Sequence, residues 1–291
     1  MFRNTRIAWS PTRGRLLDNC SRRYVLQHVI GAIDKDVRDK SRKRPIEDFA
    51  RNGLKDSIIH QIEERDLASE EIRNSIHRNV LRATISGETL DSKPYGKIEQ
   101  IVELMMHRYE MFASAPLIGF NRKSKNRIIV IDRFQPLLLD GARQYGSPDL
   151  IVQNGSRLCL VRLAMEMKSR SPDEASELEL GSMILWAERN PMINHELSEI
   201  DVVRIGWLGT RWVKWIKPAN SEWGKQSRSL ISMDIEQMAR LMIFRGDLEN
   251  LPRSKSKWSC SKCSFKDECP GVEIKERRRG PRQRMQGSLP L

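Results

Sequence analysis

The spacing of apolar positions changes period partway along the chain. Leu16, Leu17, Cys20, Tyr24 and His28 recur at three- to four-residue steps, which predicts a helix over Leu16 to Ile30. The charged run from Asp34 to Arg44 has no such period and reads as a solvated connection. Helical spacing returns over Ile46–Glu64, Ser69–Ala83 and Lys97–Ala113. In the second of these, Ser69 lacks a glutamate three residues on, but Glu70 and Glu71 put negative charge where a helix start favours it.

Beyond Leu117 the period becomes that of strands. Ile128–Asp132, Leu150–Gln153 and Leu158–Lys168 are short and rich in Ile, Leu and Val. Asn154-Gly155, between the last two, is a strong hairpin signal. Asp173–Arg189 reads as a helix opened by Pro172, Asp201–Leu208 and Arg211–Ile216 as a strand pair around Gly209-Thr210, and Asp234–Phe244 as a final helix with Gly246 at its end. This order predicts an α/β chain with a central mixed sheet flanked by helices, an N-terminal helical region and a C-terminal cysteine segment. One domain is expected over residues 1–271, followed by a basic, disordered tail over 272–291. Lys275 to Arg284 in that tail holds six basic residues against one glutamate.

Charge narrows the partners. The chain carries 51 Lys and Arg against 38 Asp and Glu, a formal net charge of +13. Such an excess favours a polyanion, because lysine and arginine release counterions from a phosphate backbone; the plainer reading is a solvated basic surface. No apolar run approaches the length of a membrane span, and Met1-Phe2-Arg3-Asn4 begins no secretion signal, so a cytoplasmic protein with no membrane partner is expected. Thiols are kept reduced there, and clustered cysteines read as metal ligands.

Two groups of residues carry candidate chemistry. If the strand runs to Lys168, Glu166 and Lys168 project from one face, while Cys159, Val161, Leu163, Met165 and Met167 line the other, buried face. Asp149 opens the neighbouring strand, within reach of Glu166. Two such carboxylates suit Mg²⁺ or Mn²⁺, and an adjacent ammonium orients an attacking water and offsets charge on a phosphate. The plainer reading is a surface ion pair, since E-x-K is a common triplet. The second group is Cys260, Cys263 and Cys269, a C-x2-C-x5-C cluster that needs a fourth ligand. Cys20, at the other end of the chain, is the candidate, and Cys159 reads as a small core residue. Four cysteines suit a 4Fe–4S cluster or zinc.

Together these groups resemble the RecB-type branch of the PD-(D/E)xK nucleases, closest to its iron–sulfur members, the AddB nuclease domain and the CRISPR-associated RecB-like exonucleases. Cys20-Ser-Arg-Arg-Tyr24 is similar to the family's early cysteine helix, and Cys260, Cys263 and Cys269 to its late triplet. Gly53 through His60 resembles its G-x(n)-H motif, Gly146-Ser-Pro-Asp149 its aspartate motif and Glu166-Met-Lys168 its E-x-K motif. The resemblance spans roughly residues 8–270. It implies a restriction-endonuclease-like core and a Mg²⁺- or Mn²⁺-dependent deoxyribonuclease, an exonuclease acting on DNA ends or single strands. Catalysis would fall to Asp149, Glu166 and Lys168, with His60, Asp149 and Glu166 on the metal and Cys20, Cys260, Cys263 and Cys269 on a structural 4Fe–4S cluster. The implied partners are DNA and proteins of DNA repair, recombination or CRISPR adaptation.

One position departs from the family. Where the family carries Q-x-x-x-Y, which contacts DNA or supports the site, this chain has Ser182 and Trp186. Serine cannot span the distance that glutamine does. The alternative is therefore a catalytically weakened nuclease-fold subunit that binds DNA within a processing complex. A zinc-ribbon DNA-binding protein is a third reading, but it leaves Asp149, Glu166 and Lys168 without a role. Trp207, Trp212, Trp215 and Trp223 are available to stack on single-stranded bases, or to fill a core.

Overall fold

The structure, a computed structural model, describes residues 7–64, 67–115, 127–132, 134–244, 246–261 and 263–269. The expected basic tail lies outside them. The N-terminal part holds strand β1 (Ala8–Trp9) and helices α1 (Pro11–Asn19), α2 (Ser21–Tyr24), α3 (Lys35–Arg42), α4 (Ile46–Glu64), α5 (Ser69–Ile85) and α6 (Ile98–Ser114), with a π-helix over Val25–Ile30. Strands β2 (Arg127–Val130), β3 (Leu137–Leu139), β4 (Ala142–Gln144), β5 (Leu150–Asn154) and β6 (Arg157–Ala164) follow. Then come helix α7 (Glu174–Arg189), strands β7 (Ile200–Leu208) and β8 (Arg211–Pro218), and helices α8 (Ser221–Met242) and α9 (Lys257–Ser261).

Among the described residues the strands form two mixed sheets. The larger has the order β2-β5-β6-β7-β8, with β6 and β7 parallel and the other pairs antiparallel. A parallel pair needs a crossover, and α7 supplies it. One sheet face packs on α4, α5 and α6 through Val161, Leu163, Val203, Ile205, Trp207 and Trp212. The other packs on α7 and the start of α8 through Leu158, Leu160, Val202, Met183 and Trp223. β6 is therefore buried on both faces, where its sequence predicts one. A strand flanked by helical layers on both sides reads as a continuous apolar run.

The smaller sheet, β1-β4-β3, closes a second core with α1 and α8 through Trp9, Leu17, Leu139, Ile231 and Met238. The Trp9 indole N–H donates to Asp234 of α8 at 2.7 Å. Gly14 of α1 packs against that pair, and a Cβ there would lie 2.8 Å from the Asp234 carboxylate.

Four expected boundaries shift. The first helix breaks at Cys20, whose backbone is extended (φ −167°, ψ 101°) and whose sulfur accepts the Arg23 N–H at 3.4 Å. The charged stretch after Asp34 is a helix, because the Asp34 carboxylate caps the Asp36 and Val37 N–H groups at 2.9 and 3.1 Å. The last long helix starts at Ser221 rather than Asp234, capped by Asn220 at 2.8 Å from the Trp223 N–H, and ends at Met242, short of Gly246. The strand before α7 ends at Ala164, so Glu166 and Lys168 lie beyond regular pairing. Even so, the Met167 N–H still donates to the Trp207 carbonyl at 2.7 Å.

Candidate functional site

Asp149 enters the larger sheet just before β5, where its N–H donates to the Val161 carbonyl at 2.9 Å. That pairing sets its side chain beside Arg162 of β6, in a site that leaves the residue 1% exposed. Its two oxygens are heavily engaged. Lys55 Nζ lies 2.8 Å from both, the Leu163 N–H donates to Oδ2 at 2.8 Å, and Arg162 Nη1 donates to Oδ1 at 3.2 Å. Burial pushes the Asp149 carboxyl up, but the Arg162 and Lys55 charges and the hydrogen bonds from Lys55 and Leu163 hold it below the usual carboxylate range. Arg162 is itself held by the Ser147 carbonyl at 2.8 Å and by Glu179 of α7 at 3.1 Å.

Glu166 lies at the open end of the same sheet, its side chain 47% exposed. Arg108 of α6 donates from Nη1 to Glu166 Oε2 at 3.1 Å and to the Met165 carbonyl at the same distance. Arg108 is fixed from behind, with its guanidinium 4.9 Å from the Trp207 ring and its carbonyl accepting the Trp212 indole N–H at 2.7 Å. Arg51 Nε lies 3.3 Å from the same Glu166 oxygen. Lys168 is exposed two residues on, while Met165 and Met167 turn inward. Met167 packs so closely on Gly206 that a Cβ there would meet its sulfur at 2.3 Å.

Arg51 and Lys55 are one turn apart on α4, so a single helix face offers a cation to each carboxylate. His60 is five residues past Lys55, about 140° around the helix, and it is exposed. The structure thus brings Asp149 and Glu166 to one helix face and turns His60 away from Lys55. Among the described residues no three His, Cys, Asp or Glu side chains gather in a metal-holding group. To reach Asp149, a divalent cation must displace Lys55 or Arg162. Asp149 and Glu166 are each held by two cations, and those four escape a motif-based reading. The i, i+4 spacing of Arg51 and Lys55, facing the same way, is the signal that finds two of them.

Ser182 and Trp186 are 0% and 4% exposed. The Ser182 hydroxyl donates to the Glu179 carbonyl at 2.6 Å, and Trp186 packs in the core between α7 and the sheet. Both positions serve packing and offer DNA no surface. Gln144 of β4 instead reaches the Ser182 carbonyl, at 3.5 Å.

The cysteines divide between the two ends of the chain, and the fold joins those ends. Arg22, just past Cys20, is 8% exposed and donates to the Leu251 and Glu249 carbonyls at 2.8 and 2.7 Å. Its backbone N–H donates to the Pro252 carbonyl at 3.4 Å. Lys40 of α3 pairs with Glu268, between the last two cysteines. Burial pushes the Cys263 thiol up, a backbone hydrogen bond and Arg23 pull it down, and negative charge on Cys20 and Cys269 raises it further. Among the described residues these thiols are not gathered into a metal-holding group. Cys159 is half-buried on β6, away from this region.

No protein-family model matches the chain, and no curated protein matches it. Among solved structures the chain is similar to SSO0001, with 13% sequence identity and a TM-score of 0.31, over 78% of this chain and 85% of that one. A likeness that distant carries no argument about function. Among the described residues, no helix is long and apolar enough to cross a membrane.

Proposed function

We propose that the chain is a DNA-binding protein on a restriction-endonuclease-like core of the RecB type, in which its own cations hold the carboxylates that bind metal in the nucleases it resembles. The observation that carries this reading is Asp149, with one ammonium, one guanidinium and one backbone N–H on its two oxygens. A buried carboxylate so neutralised has little left to offer a resident divalent cation, and the carboxylate site does not fit one. The excess of basic residues supports a polyanionic partner. The thiol region fits its expected group better, because four sulfur donors sit on two segments that the fold clasps together. Cys20, Cys260, Cys263 and Cys269 would hold a 4Fe–4S cluster or zinc, whose role there is to pin the chain ends.

A second reading, a Mg²⁺- or Mn²⁺-dependent deoxyribonuclease, is favoured by the open end of the site, where Glu166 and Lys168 are both exposed. One experiment separates the two. Labelled single- and double-stranded DNA incubated with protein and Mg²⁺ or Mn²⁺ should be retarded on a gel and remain intact. Cleavage lost in Asp149→Ala, Glu166→Ala and Lys168→Ala would establish the nuclease instead. Metal analysis of protein purified without oxygen tests the thiols. Iron and a brown colour lost in Cys20→Ala support the cluster, and one zinc without colour replaces iron while keeping the ligands.

A further inference from the structure

Arg204 of β7 is a half-buried guanidinium with no hydrogen bond or ion pair among the described residues. A cation drawn partly out of water without a partner is costly unless an anion meets it. Its neighbours do not remove that demand. Arg162 is its register partner on parallel β6 but is committed to Asp149, Ser147 and Glu179. Arg15 of α1 reaches the same Glu179 carboxylate that Arg162 holds, one strand from Arg204, and its side chain is 40% exposed. Burial lowers the Arg204 pKa, Glu179 and Asp173 oppose that, and Arg15 adds to it.

Across the antiparallel β7–β8 pair, Arg204 lies directly opposite Trp215. Directly paired residues share a sheet face, with Cβ atoms about 5 Å apart. Of the four tryptophans in this part of the chain, Trp207, Trp212 and Trp223 are buried, and Trp215 is left half-buried. Its ring is braced edge-on by Trp223, centroids 6.3 Å apart, and Lys217 Nζ sits 4.4 Å over the Trp223 ring. A half-buried guanidinium, a second one 40% exposed and paired with Glu179, and a half-buried indole braced by Trp223 thus lie on one side of the sheet. Single-strand binders combine these same elements, a cation for the backbone and an aromatic face for the base.

We propose that Arg204, Arg15 and Trp215 form a single-stranded DNA subsite, in which the two guanidinium groups take a backbone phosphate and the indole stacks on the adjoining base. This rests on the DNA-binding reading above. It adds a place on the molecule, on the sheet face opposite the one that packs on α4 to α6.

The test is fluorescence anisotropy with a labelled oligothymidine over a range of salt concentrations. Arg204→Gln should weaken binding and reduce the slope of log affinity against log salt by about 0.7, the contribution of one single-strand phosphate. Arg204→Lys should keep the slope. Trp215→Ala should weaken binding roughly tenfold with the slope unchanged, and Trp215→Phe should recover most of the loss. Arg240→Gln, at an 82% exposed side chain on α8, is the control for a charge lost anywhere. Melting temperatures identify any variant that misfolds, and the Lys and Phe substitutions keep the test open in that case. Wild-type affinity and slope in both Arg204→Gln and Trp215→Ala, in protein that binds DNA, would overturn the subsite and leave the DNA-binding reading standing. A slope change in Arg240→Gln equal to that in Arg204→Gln would also overturn it. Wild-type protein that fails to bind the oligonucleotide at all would remove both.

Discussion

The carboxylate site at the sheet end and the clasp that joins the two chain ends both read from sequence as metal centres, yet they are built in opposite ways. At the first, hard negative donors are already met by the chain's own cations, with Lys55 and Arg162 on Asp149 and Arg51 and Arg108 on Glu166. At the second, one buried guanidinium is spent on backbone carbonyls, and the Cys263 thiol feels the Arg23 charge ahead of those of Cys20 and Cys269. A centre whose charge is balanced from within needs no ion for folding. Soft donors carried on two segments that the fold clasps together gain from one. The two regions should therefore respond differently to substitution, to metal removal and to acid.

The largest effect is expected at Asp149. Removing it leaves Lys55 and Arg162 facing each other in a buried site, and breaking such a pair costs about 3–5 kcal/mol. Asp149→Ala should lower the urea midpoint strongly in apo and metal-loaded protein alike. Glu166→Gln is the contrast, since a half-exposed ion pair contributes within about 1 kcal/mol. Equal losses in the two variants would mean that the burial difference does not control the site.

Which parts of this were legible in the sequence follows from the physics of each. The hairpin at Gly155 and the turn at Gly209 were, because both glycines take positive φ (62° at each) that side chains resist. The place of Asp149 at the start of a strand was, beside that hairpin, whereas Glu166 was expected on a strand face and lies past the strand's end at Ala164. The α3 helix was not, because its stability comes from an aspartate cap and it has no buried residue to leave a periodic trace. The early half of α8 hid for a related reason: Lys225, Gln226, Arg228 and Ser229 interrupt its apolar stripe. Of the cations on Asp149, Arg162 lies 13 residues on, across the hairpin, but Lys55 lies 94 residues away on α4, and its spacing from Arg51 gives them a shared helix face without naming the carboxylates that face meets. The break at Cys20 was masked by apolar spacing that continues across it.

The clasp should yield next. Arg22 makes two charge-assisted hydrogen bonds to carbonyls from an 8% exposed position, so Arg22→Ala should cost about 2–3 kcal/mol. The loss should appear as faster proteolysis around residues 249–253 before the sheet core opens, since Arg22 holds that segment directly by its carbonyls. Chelation or oxidation of any bound metal should deepen the loss in this variant and leave Asp149→Ala unaffected. Global unfolding with no early cleavage in that segment would show that the clasp and the sheet form one cooperative unit.

The smallest effect separates the two regions by pH. His28, in the π-helix that follows Cys20, packs on Tyr24 with ring centroids 5.0 Å apart, and burial, helped by the Arg13 charge, lowers its pKa from 6.5 to about 4. Between those values the unfolded chain binds a proton that the folded chain refuses, so stability is flat above pH 6.5 and falls as pH drops towards 4. Discounted for partial exposure, the loss is about 1 kcal/mol. Asp149 behaves differently, because its folded pKa lies below the ordinary 3.8. Its contribution is full above 3.8 and disappears only as pH falls through the lower folded value. Acid should therefore loosen the clasp while the carboxylate site is still intact. Hydrogen exchange at pH 5 against pH 7.5, corrected for intrinsic rates, should show protection lost around residues 22–30 and kept around 149–163. His28→Gln should abolish the difference, and a difference that survives that substitution would assign the acid sensitivity elsewhere.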